Sequence, residues 1–151
     1  MEKLFGSRPK CFISKNGNSV VYFGSTVLVR WFLAMGLRYN KVKDQVDVPR
    51  WIFSKNAYMG AAIRGLIDTD GSVYRLKFGM QISFCNHSKP LLQSARKMLL
   101  ELGYHPSKIN GQNIYITRRE DLKKYFTEIG FNNLKHRERL LAFQKNNGCV
   151  V

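Results

Sequence analysis

Two segments of the chain repeat apolar residues at helical spacing. Leu91, Leu92, Ala95, Met98, Leu99 and Leu102 form one stripe. Ser88 ahead of it is a natural N-cap, Pro90 suits the first turn and Gly103 ends it. Leu122, Tyr125, Phe126 and Ile129 form a second stripe, with Thr117 to Glu120 (TRRE) in the pattern of a capping box and Gly130 as a stop. Between Ser72 and Phe84 the pattern changes to alternation. Leu76, Phe78, Met80, Ile82 and Phe84 fall on one side and Arg75, Lys77, Gln81 and Ser83 on the other, which predicts a hairpin with one polar, basic face. A short strand at Asn113–Thr117 follows a Lys108 to Gly111 turn. The most apolar stretch, Val20 to Leu37, is broken by Gly24, Ser25 and Thr26 and carries Arg30. It reads as a buried strand, a turn and a helix, because a bilayer core penalises the arginine by several kcal/mol.

A weak internal repeat appears at an offset of 94 residues. Lys15–Val20 (KNGNSV) matches Ile109–Ile114 (INGQNI), and Leu28, Phe32, Gly36 and Lys41 fall on Leu122, Phe126, Gly130 and Lys135. Any strand–turn–helix unit produces part of this pattern by chance. With the repeat accepted, residues 1–45 are a partial copy or N-terminal extension and residues 46–151 a complete unit. Residues 42–55, containing Val48, Pro49, Arg50 and Trp51, then read as a linker.

Composition narrows the class of partner. The 151 residues, 44% hydrophobic, are enough for about one domain with a real core. The 25 Lys and Arg against 10 Asp and Glu give a net charge of +15, which suits a polyanion, nucleic acid ahead of an acidic membrane surface. Cys11, Cys85 and Cys149 are odd in number and lack zinc-ligand spacing. The opening residues have no apolar run of the secretory kind, so an intracellular protein of the cytoplasm or an organelle matrix is expected, with no membrane partner.

Ala61 to Gly71 (AAIRGLIDTDG) is the most informative segment. Ala61, Gly65 and Thr69 lie at i, i+4 and i+8, a stripe that lets two helix backbones approach closely, with Gly60 and Ala62 beside it. Gly71 reads as a left-handed stop, and Asp70 projects from the last turn. A carboxylate there opposes the helix dipole, so a cation is expected nearby, and hard oxygen ligands suit Mg²⁺.

Ile63 to Gly71 resembles the LAGLIDADG motif of homing endonucleases, with Ile for Leu, Arg for the first Ala and Thr for the second. The surroundings are similar too: Ile82, Ser83 and Phe84, then Ser88 and the helix to Gly103, then Phe126, Ile129, Gly130, Phe131 and Lys135. The resemblance covers roughly Val48 to Leu141. It implies an α+β fold, an αββαββα half-domain whose motif helix packs on a counterpart above a saddle-shaped antiparallel sheet on DNA. Ala61, Ala62, Gly65 and Leu66 are the helix-packing residues so implied. Asp70 corresponds to the metal-binding acid, and Thr69 would offer its carbonyl to the same ion, Mg²⁺ with Mn²⁺ as a substitute. Asp68 is expected to hold the helix end. Lys135 falls where relatives place a basic catalytic residue. Asn86 or His87 falls where they position water. Tyr74, Arg75, Lys77, Gln81, Ser83, Arg118 and Arg119 are the DNA-binding candidates.

What the resemblance implies is a site-specific, divalent-metal-dependent endonuclease, intron-encoded or free-standing, that cuts double-stranded DNA and leaves short 3′ overhangs. One motif supplies one carboxylate while two strands need two, so a homodimer on a long, near-palindromic site is expected. The alternatives are an RNA maturase acting on intron RNA, a non-cleaving DNA-binding protein, or one half of a split endonuclease.

Overall fold

The computed structural model describes residues 6–40, 44–77 and 79–146, with side chains to Ala142. These residues fall into two compact units that divide between Leu37 and Arg38. Lys41 of the repeat, Phe78 of the hairpin and Cys149 lie outside the described residues.

The first unit is a hairpin followed by a helix. β1 (Lys10–Ile13) pairs antiparallel with β2 (Ser19–Tyr22), Lys10 opposite Tyr22 and Ile13 opposite Ser19. α1 (Thr26–Ala34) opens at Ser25, whose hydroxyl accepts the Leu28 N–H at 3.2 Å. The strand and helix expected between Val20 and Leu37 are present, but their expected burial is not: no residue of α1 is buried and β2 is largely exposed. One hairpin and a nine-residue helix have too little apolar surface to close a core of their own.

The second unit carries the core. A 3₁₀ turn at Arg50–Ser54 leads into α2 (Asn56–Asp70), and Val48, Ile52 and Phe53 of the expected linker pack partly against the core. α2 passes without a loop into β3 (Gly71–Leu76), followed by β4 (Gly79–Cys85), α3 (Lys89–Glu101), β5 (Asn113–Ile116), α4 (Arg119–Glu128) and α5 (Leu134–Asn146). The sheet is antiparallel in the order β3-β4-β5, with Ile82 opposite Ile116 and Phe84 opposite Ile114. Met59, Ile63 and Ile67 of α2, Leu92, Ala95 and Met98 of α3, and Leu122 and Tyr125 of α4 join these strand residues in one buried cluster. The architecture is α+β, as expected. Ser88 caps α3 through Leu91 N–H at 3.5 Å, and Gly103 and Gly130 take left-handed φ of +77° and +66° at the predicted stops.

Three local expectations change. The alternation does not run through the hairpin, because Leu76 pairs with Gly79 across residues 77 and 78 and every cross-strand pair joins an even to an odd position. Cross-strand partners share a face. Val73 and Arg75 therefore lie on the side of Met80, Ile82 and Phe84, while Leu76 joins Tyr74, Gln81 and Ser83. Thr117 to Glu120 does not form a capping box, since α4 begins at Arg119 with Arg118 as N-cap and no side-chain cap bond. Glu120 and Asp121 instead face the helix dipole from the first turn. The second strand pair of the expected αββαββα unit is reduced: Pro106 lacks an N–H, and Ser107 pairs with Tyr115 through its N–H at 2.9 Å and its hydroxyl at 3.1 Å.

Candidate active site

The buried stripe Met59, Ile63 and Ile67 fixes the rotation of α2. Ala57, Ala61, Gly65 and Thr69 are thereby exposed at the same four-residue spacing, while Ala62 and Leu66 are half-buried at the edge of the core. A methyl group added at Gly65 would meet nothing within 4 Å. The small-residue face is open.

Gly71 ends α2, but not as a left-handed stop. Its φ is −93° and ψ 172°, extended backbone, and its N–H bonds to the Ile67 carbonyl. Glycine is needed for closeness instead: a Cβ there would lie 2.5 Å from the Ile67 carbonyl oxygen and 2.7 Å from its Cα. This contact is what allows helix to become strand within one residue and leaves Asp70 at the junction.

Asp70 is half-buried and accepts a hydrogen bond from Asn86 Nδ2 at 3.1 Å. The Asn86 amide oxygen accepts the Ser88 N–H at 2.9 Å, so only its NH₂ is left to face Asp70. The Ser88 hydroxyl in turn donates to the Val46 carbonyl at 2.6 Å, and Lys89 N–H reaches Gln45 Oε1 at 3.3 Å. A strap at residues 45–46 thus anchors the turn that carries Asn86. Of the two neighbours considered at this turn, Asn86 is buried against Asp70 and His87 is exposed. Thr69 is exposed and donates its hydroxyl to the Gly65 carbonyl at 3.0 Å.

Asp68 does the other half of the anchoring. Its carboxylate accepts the N–H groups of Asn132 at 2.9 Å and Asn133 at 3.2 Å, and its carbonyl accepts Asn133 Nδ2 at 2.8 Å. Asn133 caps α5 by accepting the Lys135 N–H at 3.0 Å. The exposed Lys135 is therefore held in a first helical turn tied to the end of α2. Arg139, one turn further along α5, donates to the Val73 carbonyl at 2.9 Å and holds α5 against β3. The pair Asn132 and Asn133 ahead of an apolar residue is a readable helix-start signal, whereas Asp68, some 65 positions away, could not be assigned to it from spacing.

His136 is buried beside Phe131, ring centroids 5.6 Å apart. Burial holds its pKa below the ordinary 6.5, with Ile67 and Asp68 opposing the shift and Arg139 and Lys135 adding to it. The folded protein thus binds its proton more weakly than the unfolded chain. Stability is expected to be intact above pH 6.5 and to fall as pH drops through that value toward the lower folded pKa. Urea midpoints at pH 7.5 and pH 5.5 check this, the difference shrinking in His136→Leu.

The DNA-binding candidates divide by position. Tyr74 and Gln81 are cross-strand partners and Ser83 lies on the same face, but Gln81 and Ser83 are buried. Arg75 is exposed on the opposite parity, Lys77 lies in the hairpin turn, and Arg118 and Arg119 are exposed where α4 begins. The α2–β3 junction, the α5 cap and the sheet are thus assembled around one acid-terminated helix. Residues 57–130, from the second residue of α2 to the glycine behind α4, match a family model described as a LAGLIDADG-like domain. The chain carries a LAGLIDADG-like domain. A comparison with curated proteins finds no match. The family comprises homing endonucleases and maturases, and its members generally bind DNA. No helix among the described residues is long and apolar enough to cross a membrane.

Among the described residues, no three His, Cys, Asp or Glu side chains cluster as a metal cage. Asp70 offers a hard carboxylate at the negative end of a helix dipole, a donor of the right chemistry for Mg²⁺ but only part of a coordination set.

Proposed function

We propose that this chain acts in a site-specific, divalent-metal-dependent DNA endonuclease in which Asp70 works together with the acid of a second motif helix. The observation that carries this reading is the pairing of an oriented carboxylate, Asp70 bonded to Asn86, with an open face of Ala57, Ala61 and Gly65 on the same helix. A close helix–helix contact along that face would bring two such helix ends together. Mg²⁺, or Mn²⁺ in its place, would be held by Asp70 and the Thr69 carbonyl and would supply an activated water and charge neutralisation at the leaving oxygen. Asn86 fixes the rotamer of Asp70 through its bond to one carboxylate oxygen. Lys135 supplies a positive charge for the phosphate, and Asp68 keeps its turn in place. Tyr74, Arg75, Lys77, Arg118 and Arg119 supply phosphate and base contacts, whereas the buried Gln81 and Ser83 do not reach DNA in this arrangement. His87 lies beside Asn86 at the junction and is available to hold water.

A second copy of this chain would supply the second acid on a near-palindromic site and leave short 3′ overhangs. A separate chain would supply it on an asymmetric site. The uncovered apolar surface of the first unit favours the separate chain.

Gly65→Leu tests the pairing. A Cβ there meets nothing within 4 Å and the position is exposed, so thermal stability is expected to hold or rise by about 0.5–1 kcal/mol from helix propensity alone. Metal-dependent DNA cleavage is expected to fall at least about tenfold with loss of the paired species in light scattering, from a misfit of ~1.4 kcal/mol or more. Unchanged cleavage would remove this face from the assembly.

A further inference from the structure

The 94-residue repeat extends to backbone geometry. β2 (Ser19–Tyr22) transposes onto β5 (Asn113–Ile116) with both ends in register, and α1 (Thr26–Ala34) transposes onto positions 120–128 of α4. Gly17 and Gly111 are both left-handed, at φ +76° and +57°, and so are Gly36 and Gly130, at +102° and +66°. Four features in one order at one offset make the first unit a second example of the strand–helix half of the domain.

The two examples differ in what covers them. Tyr125 is 0% exposed and Ile116 2%, both in the core cluster with α2, β3, β4 and α3. Their counterparts Trp31 and Tyr22 are 51% and 56% exposed, and Leu37, the counterpart of the buried Phe131, is 46% exposed. Large apolar side chains stand at these positions without a core within the first unit to receive them. A surface of this kind marks an interaction site.

We propose that the apolar face of the first unit binds a helix–hairpin–helix segment of the kind formed by Asn56–Glu101, brought by a separate polypeptide. A second copy of this chain is a poor source, because its own helix–hairpin–helix is already covered by its own β5 and α4. The segment would present a stripe of medium-sized apolar residues to Trp31, Phe32 and Leu28, as Met59, Ile63 and Ile67 join Tyr125 and Leu122 in the second unit. This inference rests on the repeat and the burial pattern. It adds to the proposed function that the segment brings its own motif helix, the source of the second acid.

Hydrogen exchange separates the inference from the cleavage reading, since it needs neither DNA nor metal. In the unaltered chain, amides of residues 10–36 are expected to exchange close to unfolded-peptide rates at every protein concentration, while residues 56–131 are protected. A tandem variant, with residues 46–103 placed again ahead of Pro9, is expected to slow exchange over 10–36 at least about 100-fold, as inclusion in a closed core requires. Protection of 10–36 in the unaltered chain at all concentrations would mean a self-sufficient unit and overturns the inference. Protection that rises with concentration would assign the surface to a second copy and also overturns it. So does unchanged exchange over 10–36 in the tandem variant.

Discussion

Asp70→Asn is expected to lower metal-dependent DNA cleavage at least about 10³-fold, the scale on which enzymes lose rate when a group acting on transition-state charge is removed. Asparagine is the informative replacement. It keeps the size of the side chain and a carbonyl oxygen to accept the 3.1 Å bond from Asn86, so the junction between α2 and β3 stays intact. What it loses is the negative charge. Binding to duplex DNA should change by no more than about threefold, because phosphate contacts from lysine and arginine carry most of the affinity. Without metal the variant should bind slightly tighter, a carboxylate near phosphate being repulsive. The products also report on the partner. If two copies of this chain pair, both strands stay whole; if a different chain supplies the second acid, the variant leaves a nick in one strand. Strand-resolved gels of wild type and variant on the same duplex distinguish these results.

Gly71→Ala is expected to destabilise the domain by about 3 kcal/mol or more, at the upper end of overpacking costs, which is roughly 10 °C in melting temperature for a chain of this size. The backbone angles at Gly71 suit any residue, so conformational preference contributes nothing to this loss. The loss comes from contact: the added methyl would sit 2.5 Å from one backbone atom and 2.7 Å from another, neither able to move aside as a flexible side chain does. Gly65→Ala, on the same helix, is the control. It meets nothing and is expected to stabilise by roughly 0.5–1 kcal/mol through helix propensity. Thermal melts of the two variants with wild type measure both signs in one experiment.

The pattern of the chain revealed those parts of the molecule that depend on local spacing. The stripe Leu91, Leu92, Ala95, Met98 and Leu99 and its Ser88 cap are legible because each residue's role is set within a turn or two. The resemblance of Ile63 to Gly71 likewise pointed to a LAGLIDADG domain of α+β fold. The parity of the hairpin was less legible, because pairing Leu76 with Gly79 shifts the faces of β3 against β4 and nothing in an alternating pattern marks where the register falls. Gly71 reads from the sequence as a left-handed stop and is instead a close-contact glycine in extended backbone, two roles that look alike in sequence. The links that build the site join distant residues: Asn86 to Asp70, Asn133 to Asp68, Ser88 to Val46 and Arg139 to Val73. None of these follows from spacing. The exposure of α1 was hidden for a related reason, as apolar composition records what a segment is suited to bury and not whether its cover is present.

The most direct test of Asp70 as the metal-dependent cutting group is sequencing of the ends released from a randomised duplex library. The unaltered chain, the tandem variant and the same proteins carrying Asp70→Asn would be compared in Mg²⁺ and in EDTA. The predicted result is one class of sequence with short 3′ overhangs, released in Mg²⁺ by the chain or its tandem variant, absent in EDTA and absent when the cutting acids are replaced. An uncut library with both proteins, or the same ends from the Asp70→Asn proteins, would contradict the account.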